Sequence, residues 1–246
     1  MLGILDSGVG GLSVWKELKK LSPNSGVLYF ADNARVPYGN LTRDKIFIYS
    51  KESISHLIDL GATSIAIACH TISTTTGPLL KHSTQIPILD IASHSIPLLT
   101  PLNRIGIIGT KATISSEYYQ RALGEKIINA IACPHLVPMI ENGEVDMALI
   151  KASLEGIDPT IEALFLACTH FPLIKEAIQI LFPHIPLIDP AISFAKSLLP
   201  LASAAPDEFY VTKDASHFYK SATIFCEEKK VAFPFLIKSL YSPLIS

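Results

Sequence analysis

The chain has 246 residues, 49% of them apolar and only 17% charged, with a formal net charge of −2. That length supports one large or two smaller cored domains, and the charge leaves no basic footprint for nucleic acid. No apolar stretch reaches the roughly 18 residues of a membrane span, and Gly3-Ile4-Leu5-Asp6 follows without a basic flank or cleavage site, which predicts a cytoplasmic protein with no signal peptide and no membrane partner.

Short apolar runs alternate with segments of helical period, the pattern of parallel βαβ units. Residues 3–5 read as a strand, Asp6-Ser7-Gly8-Val9-Gly10-Gly11 as a turn, and 12–21 as an amphipathic helix. A second strand over 27–31 leads into a loop over 32–40 and a helix over 42–60. Strands over 63–68 and 86–90 follow, after which Pro97, Pro101 and Asn103 interrupt any helix and mark a domain junction near 95–103. Arg104-Ile105-Gly106-Ile107-Ile108-Gly109 then restarts the strand-then-glycine plan. The second half continues with an apolar strand over 131–137, a helix over 144–154, and strands over 163–167 and 185–188. Phe209-Tyr210-Val211-Thr212 reads as one more strand, and the pattern over 227–246, with Lys229 and Lys230, assigns no element beyond a helical tendency. The fold class is α/β, with an N-terminal domain over 1–97, a second domain over 98–205, and residues 206–246 expected to pack back on the first.

Two of the four cysteines share one setting. Ile65-Ala66-Ile67-Ala68-Cys69-His70-Thr71 and Leu164-Phe165-Leu166-Ala167-Cys168-Thr169-His170 are both strand-type runs that stop at Ala-Cys and continue with hydroxyl and imidazole groups. Open α/β sheets place ligands at the carboxyl ends of their strands, so both thiols are expected at one pocket. Two thiols facing a pocket from opposite sides can remove a proton from one face of a carbon and return it to the other. Cys133, before Pro134, and Cys226, in a helix-like stretch, lack this setting and read as structural. No CxxC pair is present, which argues against a zinc ribbon or a thioredoxin-type site.

The other chemistry-bearing groups are weaker signals. The glycines of residues 6–11 would let backbone N–H groups approach an anion, but the GxGxxG spacing is missing, and Asp32 lacks the context of a ribose clamp. His170 is placed to orient or deprotonate a group and to shift the Cys168 thiol toward thiolate. His70 directly follows Cys69, and on an extended backbone it would point to the opposite side. A zinc site drawn from Cys69, His70, Cys168 and His170 is the minor alternative; the residues otherwise imply no metal and no cofactor.

Residues 6–14 (Asp-Ser-Gly-Val-Gly-Gly-Leu-Ser-Val), 29–39 (Tyr-Phe-Ala-Asp-Asn-Ala-Arg-Val-Pro-Tyr-Gly), Ala68-Cys69 and 166–173 (Leu-Ala-Cys-Thr-His-Phe-Pro-Leu) resemble the signatures of glutamate racemase, within the aspartate/glutamate racemase superfamily. The resemblance implies two flavodoxin-like parallel-sheet domains with the active site in the cleft between them. It implies a cofactor-independent interconversion of L- and D-glutamate that supplies peptidoglycan synthesis, and a homodimer. Carried over by position, Cys69 and Cys168 are the acid/base thiols, assisted by Asp6 and His170. Asp6, Ser7, Pro37, Tyr38, Gly39, His70, Thr71, Thr169 and His170 hold the substrate. Asp32 and Glu141 are secondary polar groups, with Glu144 as a substitute for Glu141. The chain departs from the family at His70, where the family has Asn, and at Asp189-Pro190-Ala191, where it has Asp-Ser-Gly. The imidazole, titrating near 6.5, is expected to crowd the pocket and slow turnover most at slightly acidic pH. Rival expectations are a racemase of aspartate or broader specificity, and a weakly active binding or regulatory protein.

Overall fold

In the computed structural model, residues 1–227 and 237–239 are described; the remainder of the tail expected over 227–246 lies outside the described residues. Two parallel sheets organise the chain. The first uses β1 (Leu2–Asp6), β2 (Ser25–Ala31), β3 (Ser64–Ile67) and β4 (Ile88–Asp90), the second β5 (Ile105–Gly109), β6 (Ile127–Ala132), β7 (Ala163–Ala167) and β8 (Leu187–Ile188). After these, β9 (Ser203–Ala204), β10 (Glu208–Val211) and β11 (Ile237–Ser239) return to the first sheet. The strand orders are β11-β10-β2-β1-β3-β4 and β6-β5-β7-β8, with β9 antiparallel to β2. Continuous apolar runs such as Ser-Ile-Ala-Ile and Ala-Leu-Phe-Leu-Ala are wholly buried, as expected for parallel strands covered on both faces.

The helices needed below are α1 (Leu12–Leu21), α2 (Arg43–Asp59), α3 (His70–Lys81), α4 (Ile91–Leu99), α5 (Lys111–Ser115), α6 (Tyr118–Leu123) and α7 (Leu136–Glu141). Helix α1 buries Leu12, Val14, Trp15 and Leu18, and Trp15 meets Phe209 edge-on at 5.4 Å. Phe209 stacks on Tyr29 at 5.3 Å, so β10 is bound into the first sheet by side chains as well as by its ladder with β2.

The structure differs from the sequence reading in three places that matter. His70 does not sit on extended backbone; it opens α3, with Cys69 as the N-cap residue. The sequence His-Thr-Ile-Ser-Thr-Thr-Thr-Gly-Pro is a poor helix former that is helical because it is buried, and its hydroxyls are satisfied on carbonyls one turn earlier: Ser73 on Cys69 at 2.9 Å, Thr74 on His70 at 2.8 Å, Thr76 on Ile72 at 3.0 Å. Residues 91–99 are helical although they contain Pro97, whose missing N–H leaves the Ser93 carbonyl without its helical bond. The strand expected over 131–137 ends at Ala132, and its apolar continuation is α7, since a short apolar run does not distinguish a strand from a buried helix.

Candidate active site

Strand β1 ends at Asp6, whose buried carboxylate accepts the Gly8 N–H and the Thr169 hydroxyl, each at 3.0 Å. The glycines of the following loop are there because functional side chains press on it. A Cβ at Gly8 would lie 1.9 Å from Glu141 Oε1, and one at Gly10 would lie 2.5 Å from His170 Nδ1 and from Thr169 Oγ1. Close approach of side chains, and not a phosphate cradle, accounts for this glycine pattern. Burial raises the Asp6 carboxyl to about 6, against the lowering influence of His170.

Cys69 follows β3 and is almost fully buried, with its sulfur 3.7 Å from the Ser7 hydroxyl. Burial first, and the Asp6 charge second, push its thiol up to about 12, while the Ile72 N–H at the start of α3 and Ser7 oppose them. Near neutral pH this sulfur is a protonated donor. A backbone amide of α3 already points at it for the moment it becomes negative.

Cys168 follows β7, and its sulfur lies 3.7 Å from His170 Nδ1. The opposite ring nitrogen, Nε2, lies 2.5 Å from Glu141 Oε1, which also accepts the Val9 N–H at 2.9 Å. Burial disfavours the imidazolium, but hydrogen bonds to Cys168 and Glu141 overcome it and hold His170 well above its ordinary 6.5. A doubly protonated ring therefore bridges the carboxylate and the sulfur. The two thiols thus sit in opposite electrostatic settings, one beside an anion and one beside a cation.

Both sulfurs line one small cavity, together with Ser7, Pro37, Tyr38, Gly39, His70, Thr71, Thr110, Val137, Thr169 and His170. Of the residues expected at the site, Asp6 lies behind this wall, reaching it through Thr169. Asp32 is also away from the cavity and fully engaged: Tyr38 Oη donates to it at 2.5 Å, Thr212 Oγ1 at 2.8 Å and Arg35 Nη1 at 3.1 Å. It secures the loop that presents Pro37, Tyr38 and Gly39. Glu141 lies beside His170, and Glu144 is not part of the wall. The departure at Asp189–Ala191 also lies outside the cavity. Thr110 and Val137 were missed. Thr110 caps α5 and bonds Thr71 across the cleft at 2.8 Å, and a strand–Thr–helix junction was the signal that could have found it. Among the described residues no group of three or more His, Cys, Asp or Glu is placed to hold a metal ion, which leaves the zinc alternative without a ligand set.

His70 is buried on the cavity wall, with Nδ1 2.7 Å from Tyr119 Oη. Burial lowers its pKa to about 3, so the expected charging at slightly acidic pH does not occur. The imidazole is neutral throughout the range in which an exposed histidine titrates.

A buried cavity between two parallel sheets, with a thiol on either side and a different titratable neighbour for each, has the layout of a site for proton transfer. The chain belongs to the Asp/Glu/Hydantoin racemase family, which residues 36–198 match. Glutamate racemase from Persephonella marina is 34% identical over 234 residues, covering 89% of this chain and 90% of that one. The crystal structure of glutamate racemase from Francisella tularensis in complex with D-glutamate is similar at a TM-score of 0.87 and 31% identity, covering 98% and 97% of the two chains. That of Thermus thermophilus glutamate racemase in complex with β-chloro-D-alanine gives 0.86 and 30%, covering 97% and 96%. No helix among the described residues is long and apolar enough to cross a membrane.

Proposed function

We propose that this chain is a cofactor-independent glutamate racemase that interconverts L- and D-glutamate through Cys69 and Cys168 and supplies D-glutamate for peptidoglycan. The observation that carries the reading is the pair of thiols on one small cavity, each with a different charged neighbour. In one direction the Cys168 sulfur, 3.7 Å from His170 Nδ1, takes the α-proton. The electron pair left on carbon takes the proton of Cys69 on the other face, and the Cys69 thiolate that results is met by the Ile72 N–H and the Ser7 hydroxyl. The reverse reaction begins there.

The α-carbon is a weak acid, so the cavity must stabilise charge that exists only near the transition state. Exclusion of water and fixed donors from Ser7, Thr71 and backbone amides are suited to that task. The reading includes domain boundaries at 97/98 and 205/206, a homodimer and a cytoplasmic location. Circular dichroism of L-glutamate, D-glutamate and L-aspartate with purified protein tests it: signal decay for both glutamates and not for aspartate is the expected result, and an unchanged glutamate signal overturns it. Sedimentation velocity separates dimer from monomer.

A further inference from the structure

The loop over 32–40 supplies Pro37, Tyr38 and Gly39 to the cavity wall and also meets the opposite side of the cleft. A Cβ at Gly39 would lie 2.5 Å from Thr110 Cβ, so the loop backbone rests directly on the threonine that follows β5. The position of this loop therefore sets the width of the cavity between the two sheets. What holds the loop is a buried carboxylate. Asp32 is 1% exposed, and it accepts from two uncharged donors, Tyr38 Oη at 2.5 Å and Thr212 Oγ1 at 2.8 Å. Burial first, and the Asp32 charge second, hold the Tyr38 phenol well above 10, so the phenol keeps its hydrogen and is the donor in that bond.

The charged donor is Arg35, which is not on the cavity wall. Its Nη1 reaches Asp32 Oδ2 at 3.1 Å and Glu52 Oε2, on α2, at 2.9 Å. The guanidinium carbon lies 4.1 Å from the centre of the Tyr49 ring, also on α2, and that ring meets Tyr38 at 6.4 Å. The planar cation thus joins a carboxylate on the loop, a carboxylate on the helix and an aromatic face, an arrangement that an ammonium group reproduces only in part. Ion pairs between exposed side chains contribute little, but here one partner is buried. Without the cation, the Asp32 charge would rest on neutral donors alone, and a buried charge so placed moves toward water. Tyr38 and Gly39 would move with it.

We infer, on the reading that the cavity takes glutamate, that Arg35 is a positioning residue: it neutralises Asp32, ties it to α2, and so keeps Tyr38 and Gly39 closed on the substrate. Arg35 touches no reacting atom, and its effect travels through Asp32 and the Tyr38 phenol. The wall it holds faces the substrate before and during proton transfer alike, so its loss falls on KM more than on kcat.

The test is racemisation kinetics of Arg35→Gln, Arg35→Lys and Tyr38→Phe, and of Arg35→Gln combined with Tyr38→Phe. Arg35→Gln should raise KM for L-glutamate about tenfold, with kcat changing less. Arg35→Lys keeps the charge without the fork and should recover part of that loss. In the Tyr38→Phe background, Arg35→Gln should raise KM by less than about threefold, because the connecting phenol is already gone. A variant that merely loosened the fold would lower kcat through the active fraction and leave KM unmoved. An unchanged KM in Arg35→Gln, no recovery in Arg35→Lys, or a tenfold rise undiminished in the Tyr38→Phe background overturns the inference while racemisation by the wild-type protein stands. Absence of racemisation by the wild-type protein instead overturns the reading, and the role of Arg35 falls with it.

Discussion

The Glu141 carboxylate joins two parts of the site through one atom: Oε1 lies 2.5 Å from His170 Nε2 and accepts the Val9 N–H at 2.9 Å. The loop after β1 and the imidazole beside Cys168 are therefore held by the same oxygen. Glu141→Gln keeps an acceptor for Val9 but removes the charge that helps keep His170 protonated. We predict a fall in kcat/KM of about a hundredfold, the range of one acid–base group, with the alkaline limb of the pH–rate profile moved to lower pH. An unshifted profile would show that Glu141 does not set the His170 proton.

The contact between Gly8 and the same carboxylate gives a second prediction. Gly8→Ala places a methyl carbon 1.9 Å from Glu141 Oε1, so the Glu141–His170 pair must separate. Activity should fall about a hundredfold, the cost of a displacement near 1 Å, with the circular dichroism of the fold retained. Near-normal kcat would mean that the loop yields instead of the pair.

The buried Asp6 carboxyl makes stability depend on pH. Its pKa in the fold, about 6, lies above its ordinary 3.8, so the folded state binds the extra proton and its stabilisation is lost as pH rises from about 4 through 6. The loss is on the order of 2–3 kcal/mol by linkage. Denaturant unfolding of wild type and Asp6→Asn across this window should show the wild type falling relative to the variant. His170, raised well above 6.5, adds its own loss only at higher pH, so the two windows separate. Parallel stability curves from pH 4 to pH 7 would contradict the Asp6 assignment.

The strands that carry the site were legible because parallel strands covered on both faces need unbroken apolar runs. Those ending at Cys69 and Cys168 were therefore placed from residue type alone. Helix α3 was not legible. Its Thr-rich sequence has low intrinsic propensity, and the helix depends on burial against its neighbours, which local pattern does not reveal. The Glu141–His170 pair spans elements far apart in the chain, so no spacing announced it, and only the resemblance placed Glu141 near the site. The His70 error had a different source. The ordinary pKa was applied to a residue whose neighbours are Tyr119, Phe165 and the interior.

Thr110, which sequence reasoning passed over, has a checkable role on the cavity wall. Its hydroxyl accepts the Thr113 N–H at 3.1 Å and meets Thr71 Oγ1 at 2.8 Å. Thr110→Val should cost about 1 kcal/mol in unfolding free energy, as for loss of a helix cap, and raise KM for glutamate. Unchanged stability would show that the cap of α5 is dispensable.

The central claim is that two different thiols serve the two faces of one carbon, and racemisation of L-glutamate in D₂O, followed by the hydrogen isotope at the α-carbon of each enantiomer, tests it most directly. Early in the reaction the D-glutamate formed should carry solvent deuterium while the remaining L-glutamate keeps its original hydrogen, because the proton removed by Cys168 or Cys69 is not the one delivered by the other. Cys69→Ser and Cys168→Ser should each lower turnover by at least about a hundredfold, since an alcohol is a far poorer acid–base group at neutral pH. D-glutamate that retains the substrate's own α-hydrogen, or deuterium entering both enantiomers equally from the start, would show a single base at work and contradict the two-thiol account.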